Sequence, residues 1–248
     1  MSPADQLGRR TDASNTIEPS RGGSLLEAAA VGVLGGALAA AVGAPIGLAL
    51  PLGVVGAANG AICGWRRVYG WGRVSGPLAF VLDSTWAVPM TAAGLTAQVL
   101  GVLRGQPEYD ASLSTRANRQ VFRRGFVPRR GFAITIGSVI GGAGDTSIER
   151  RRRLVTDHED VHVWQARWIG PFYPLMYGAW MIGGAAVGAV IWLVRRRDDP
   201  FTKVVESCAY YLNPLEWWAY SRDDHWPPGG KVAGLGWRKP IVRPLRRP

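Results

Sequence analysis

"LLEAAAVGVLGGALAAAVGAPIGLALPLGVVGAANGAI", residues 25 to 62, carries one charge, Glu27, in 38 positions. A helix crosses a hydrocarbon core with about twenty apolar residues, so this stretch is long enough for two passes, joined near Gly43 to Pro45. Its glycines recur four apart, at Gly32 and Gly36, Gly43 and Gly47, then Gly56, Gly60 and Gly64. On a helix that spacing aligns small residues on one stripe, where a second backbone can approach closely. The stripe serves either the hairpin itself or a neighbouring chain, in which case Gly56, Gly60 and Gly64 would drive a homo-oligomer.

Two more apolar blocks follow. Leu78 to Leu103 is interrupted by Asp83, Ser84, Thr85 and Gln98, with Pro89 near its middle, and reads as an interfacial or membrane-buried helix before it reads as a span. Pro171 to Val194 holds no charge and ends in Arg195, Arg196 and Arg197. At about 1.5 Å per residue it reaches roughly 36 Å, enough to cross. With 47% hydrophobic and 19% charged residues gathered in blocks, the expectation is a mainly α multi-pass membrane protein. High Ala, Gly and Arg with almost no Lys suggests a GC-rich bacterial genome, and the expected location is then the bacterial inner membrane.

The net charge is +11, and 26 of 29 basic residues are arginine. Basic residues flanking apolar spans suit a cytoplasmic face and anionic lipid headgroups. Nucleic acid is the less favoured partner, although "FRRGFVPRRGF", residues 122 to 132, could serve either. Residues 1–23 lack a secretory signal pattern and read as an uncleaved, disordered polar tail, and residues 223–248 as a basic tail rich in Pro and Gly. Cys63 and Cys208 are too few for a disulfide framework.

Between the apolar blocks the pattern becomes α+β. Gln120 to Phe126 and Gly131 to Ile140 read as two strands of a β-hairpin around Pro128, the second alternating Phe132, Ile134 and Ile136 against Ala133, Thr135 and Gly137. From Thr146 the pattern turns helical. It leads into "HEDVHVWQ", residues 158 to 165, which holds two of the three histidines in the chain.

On a helix His158 and His162 stack one turn apart and can aim two imidazole nitrogens at one ion. Zinc at that point would lower the pKa of water to about 7, and Glu159 stands where a carboxylate can take and return a proton. The plainer alternative is a solvated helix end on which Asp157, Glu159 and Asp160 balance Arg150 to Arg153. A zinc site needs a third protein ligand, and the downstream candidates are Glu216 in "EWWAY" and, second, Glu206 in "ESCAY". Asn213 followed by Pro214 is a helix start, and Glu216 could instead complete a capping box with it. Gln165, on the His162 face, fits a supporting hydrogen-bonding role.

These elements resemble the gluzincin metallopeptidases, in which His-Glu-x-x-His and a downstream Glu hold zinc. "HEDVHVWQ" and "NPLEWWAY" are also similar to elements of uncharacterised bacterial membrane proteins. The resemblance covers about residues 154 to 221. It implies a zincin-like region over 104–222 with His158, His162 and Glu216 as ligands, Glu159 as catalytic base, Gln165 and Asn213 in support, and an unknown protein or peptide as substrate. It also implies that the strand bearing Ala133, Thr135 and Gly137 pairs with that substrate. One difficulty stands against it: a single crossing by residues 171–194 would put His158 and Glu216 on opposite sides. A re-entrant hairpin broken at Gly183 and Gly184, a helix buried against the other apolar blocks, or a site at membrane depth would each avoid this. The competing expectation is a non-catalytic, glycine-striped assembly protein with a structural or vestigial metal site.

Overall fold

The computed structural model describes residues 21–105, 107–127, 131–194 and 199–223, so the two expected tails lie almost wholly outside the described residues. Helices α1 (Arg21–Gly43) and α2 (Ala49–Trp65) form an antiparallel hairpin, joined through a 3-10 turn at Ala44–Ile46 and Gly47 in the left-handed region, φ 74°. The joint falls where the Gly43 to Pro45 break places it. The glycine stripe is used inside this hairpin. A Cβ on Gly56, Gly60 or Gly64 would collide with the carbonyl oxygens of Gly35, Val31 and Glu27 respectively.

Leu78 to Leu103 is two helices, α3 (Ser75–Ser84) and α4 (Val88–Leu103), bent by 88° at the break between them. The residues that spoil its apolarity have partners. Asp83 holds Arg167 through two bonds of 2.8 and 2.9 Å, and Gln98 accepts from Arg66 at 2.7 Å. The lone charge of the first block is satisfied likewise, since Glu27 receives both Nη atoms of Arg116 at 2.6 and 2.7 Å. These pairs fasten both ends of the hairpin to the polar part of the molecule and leave its tip, Ala44–Gly47, exposed.

After the one-turn helix α5 (Ala111–Ser114), capped by Asp110, come three short strands: β1 (Gln120–Val121), β2 (Ile134–Ile136) and β3 (Val139–Gly141). The sheet order is β1-β3-β2, parallel between β1 and β3 and antiparallel between β2 and β3. This corrects the expected hairpin around Pro128. The second candidate strand folds back on itself at Gly137, whose φ of 59° suits a tight turn and whose Cβ would strike the Met90 carbonyl. Gly137 is therefore a turn residue and not part of the strand.

The chain then enters α6 (Glu149–Arg153), a π-helical turn (Leu154–Glu159) and α7 (Asp160–Ile169). A 3-10 turn at Gly170–Phe172 leads into the apolar helix α8 (Tyr173–Val194). Short α9 (Phe201–Glu206), a second π turn (Ser207–Tyr211) and α10 (Pro214–Arg222) complete the described chain. α8 is unbroken at Gly183 and Gly184. The chain comes back instead through α9 and its π turn, which pack on the Gly184 and Gly188 face of α8.

Two helical stretches, Ser24–Ile46 and Glu149–Val194, are long and apolar enough to cross a membrane, whereas α2, at 17 residues, is shorter. The hydropathic helices expose large apolar side chains: Val33 at 72%, Leu50 at 78%, Leu103 at 75% and Ile182 at 76%.

Candidate metal centre

The return of α9 against α8 resolves the topological difficulty: Glu216, in the first turn of α10, meets the histidine pair. His162 Nε2 lies 3.3 Å from His158 Nε2 and 3.4 Å from Glu216 Oε1, and His158 Nε2 lies 3.6 Å from Glu216 Oε2. A tetrahedral ion with bonds near 2.1 Å has ligand-to-ligand edges of about 3.4 Å, so these separations suit one small divalent cation. All three side chains are buried, and His158 Nδ1 and Glu216 Oε2 have no hydrogen-bond partner. Buried polar atoms left unpaired are costly, and a cation held among the three relieves that cost.

The electrostatics also ask for positive charge. Burial pushes the Glu216 carboxyl up, but the charge of His162 and the nearness of both imidazoles outweigh it and hold the group well below the usual range.

Each ligand is held by neighbours. His162 Nδ1 donates to Gln165 Oε1 at 2.8 Å, and Gln165 Nε2 donates to the Leu215 carbonyl at 3.0 Å, so one amide fixes the imidazole and ties α7 to α10. The tautomer follows from that bond. Asn213 caps α10 by accepting from Leu215 N at 3.0 Å. It supports Glu216 only through the helix start, and the capping box does not form, because the Asn213 backbone N–H donates to the Tyr210 carbonyl. Glu206 is exposed on the wall of the same cavity and outside the ligand cluster.

Several supporting residues escape the sequence reading. Tyr177 donates to Glu216 Oε1 at 2.7 Å, and the Tyr173 hydroxyl lies 3.3 Å from His162 Nδ1. These two tyrosines stand one turn apart at the start of an otherwise apolar block, and that spacing is the signal that could have found them. Asp223, assigned to the tail, places Oδ2 3.8 Å from His158 Nδ1 and is itself held by Arg150 at 3.2 Å. Part of the arginine run is thus tied to the site. The Tyr220 ring covers His158 at 4.3 Å between centroids.

Glu159 is buried beside the cluster, and its Oε2 accepts from Thr135 Oγ1 at 2.6 Å. Thr135 lies on β2, an edge strand among the described residues. Gln120 N and Phe122 N of the β1 segment donate to the carbonyls of Ser138 and Ile140, so the main-chain groups of Ile140 face β1. Its partner Thr135 is then a non-hydrogen-bonded pair in the β2–β3 ladder, and its own N–H and C=O point out from the free edge. Ala133 and Thr135 line a cavity of about 810 Å3 with His158, Glu159, His162 and Glu216; Gly137 does not. The arrangement offers a cation site, a carboxylate beside it and an open strand edge in one cleft.

No protein family, curated protein or solved structure matches the chain significantly.

Proposed function

We propose that the protein is an integral membrane metallopeptidase whose zinc is held by His158, His162 and Glu216 and whose general base is Glu159. The observation that carries this reading is the convergence of His158, His162 and Glu216, one ligand atom from each lying within 4.8 Å of the others, with Glu159 alongside and the edge of β2 within reach. Two nitrogens and one carboxylate oxygen suit zinc and leave a fourth position for chemistry. A divalent cation there supplies Lewis acidity, which polarises a carbonyl and makes water nucleophilic near neutral pH.

The chain's own groups do the rest. An extended peptide added to β2 would pair with the N–H and C=O of Thr135, which sets its carbonyl over the cluster. Thr135 Oγ1 orients the Glu159 carboxylate. As the water oxygen bonds the carbonyl carbon, Glu159 takes the water proton and hands a proton to the amine that departs when the C–N bond breaks. The Tyr177 hydroxyl donates to Glu216 Oε1 and so holds the third ligand in place.

The exposed apolar side chains of α1, α4 and α8 support a bilayer setting, here a bacterial inner membrane crossed more than once. Arg119 and Arg150 pair with Asp160 and Asp223 next to the site, and a cytoplasmic face with anionic headgroups would suit such arginines. A purely structural, self-assembling role would draw on the glycine stripe, and that stripe is occupied by α1.

Metal analysis of the purified protein tests the reading. Near-stoichiometric zinc, lost in His158→Ala and kept in Glu159→Gln, is the expected result, with Glu159→Gln inactive on peptides. A metal-free wild type sinks it.

A further inference from the structure

The cavity beside the metal cluster has a chemistry of its own. Its walls are Pro89, Met90 and Ala93 of α4, Ile134 and Ile136 of β2, and Pro174, Gly178 and Met181 of α8, among other residues. On α8 the lining runs from Tyr173 to Met181, so the cavity follows the helix for about 12 Å, over a third of the thickness of a hydrocarbon core. α4 and α8 both wall the cavity yet barely touch each other, so it is a cleft between two apolar helices. Both helices carry bare apolar side chains outside it, Val102 and Leu103 on α4 and Leu175 and Ile182 on α8, each more than 60% exposed. The polar side chains on its walls are those of the metal end, Thr135, Glu206, Tyr173, Tyr177, Tyr210 and Tyr211, and no Lys or Arg is among the described residues that line the cavity.

We infer that the substrate is the end of a membrane-embedded polypeptide segment, entering sideways between α4 and α8, with its bond to be cut at the level of β2. This rests on the peptidase reading and narrows its substrate. An apolar wall at bilayer depth selects an apolar occupant, because a polar peptide would lose its hydration there without replacement. Apart from the metal site, no Lys or Arg among the described lining residues offers a positive partner to a phospholipid headgroup, a fatty acid or a peptide's terminal carboxylate. The outward N–H and C=O of Thr135 favour a polypeptide over any lipid.

Gly178 allows a clean test. A Cβ there meets nothing within 4 Å, and the same holds for Gly183 on the same helix, which does not line the cavity. Gly178→Leu should fill the cleft without disturbing the fold, and Gly183→Leu is its control. The zinc-loaded full chain bearing Glu159→Gln is placed in phosphatidylethanolamine and phosphatidylglycerol vesicles with a synthetic peptide. The peptide has an apolar core of about twenty residues and a diazirine-bearing leucine in its last turn.

The expected result is crosslinking to β2 and the first turns of α8. Gly178→Leu should cut the yield about tenfold, with zinc content unchanged and Gly183→Leu like the parent. Three outcomes overturn the inference: no crosslink in the cleft, equal loss in both glycine variants, or a short water-soluble peptide of the same terminal sequence competing as well as the membrane peptide. Labelling of the cleft by a diazirine phospholipid in preference to the peptide overturns it in favour of a lipid. If the peptide seats as expected and the zinc-loaded wild type leaves it uncut, the peptidase reading fails and the entry route stands.

Discussion

Two antiparallel helix pairs in this molecule are closed by the same device and serve different ends. In α1–α2 the stripe of Gly56, Gly60 and Gly64 lies on the α1 backbone along the length of the pair. In α8 and its return, Gly184 and Gly188 lie on Cys208 and Val205, with close approaches of 2.5 and 2.9 Å for an added Cβ. α2 runs beside α1 from Gly43 back to Glu27, so the glycine face is covered along its whole length and the pair is an anchor. The return beside α8 is short, α9 plus one π turn, and it ends beside Tyr177. The first turns of α8 are left with a face that no helix covers, and the cavity forms there. A glycine seam fixes how close two helices lie, and the length of the second helix decides whether the result is a wall or a site.

The joint between the two regions should give the largest effect. Arg167, on the same helix as the histidines, makes two bonds to Asp83 and one to the Asn118 carbonyl at 2.6 Å, and Asp83 also accepts from Tyr69, which accepts from Asn59 of α2. Both ion partners are almost fully buried. Arg167→Met strands the carboxylate and should cost about 3–5 kcal/mol, seen as a large drop in melting temperature. Arg167→Met with Asp83→Leu should recover most of that loss, and an unrecovered double variant would show that the pair is not what joins the regions.

Next come the seams themselves. Gly184→Leu should cost about 1–3 kcal/mol and, because it pushes the return helix from α8, should also lower zinc content. Gly60→Leu should cost as much or more with zinc retained in whatever protein folds. Equal zinc loss in both variants would break the distinction between anchor and site.

The polar base on which both pairs stand should respond to pH. Burial pushes the Asp110 carboxyl up, but Ser112, Thr146, Arg123 and the Leu113 amide more than offset this and hold it at about 2. Against about 3.9 in the unfolded chain, that contributes roughly 2 kcal/mol, complete above pH 4 and lost as pH falls from about 4 to 2. Asp110→Asn should flatten that part of the acid unfolding profile and leave the rest.

The smallest effect falls on the site alone. Gln165→Ala should weaken zinc affinity by about tenfold to a hundredfold, measured by chelator competition, with melting temperature little changed. Unaltered affinity would mean that the amide does not steer His162.

Much of this was legible in the chain. Apolar length marked the hairpin and α8, spacing marked the glycine seam, and the histidine pair with Glu216 was drawn from motif chemistry. The features that escaped have a common cause. Asp83 and Gln98 looked like interruptions because their partners, Arg167 and Arg66, are 84 and 32 residues away. The sheet was misread because period-two alternation runs through Gly137, and only the left-handed backbone there, with Met90 pressed against it, turns one apparent strand into two. Asp223 was assigned to the tail because composition changes at that point, although its carboxylate belongs to His158.

The two π turns, at residues 154–159 and 207–211, bracket α8. A π turn holds one residue more than an α turn, so each inserts an offset of about 100° between the helix before it and the helix after it. Removing one residue from "SCAYY" would leave every side chain of α10 intact and swing Glu216 about a quarter turn from the histidines. The third ligand thus depends on counting as much as on chemistry: the number of residues between Gly188 and Glu216 is as much a part of the site as the carboxylate itself.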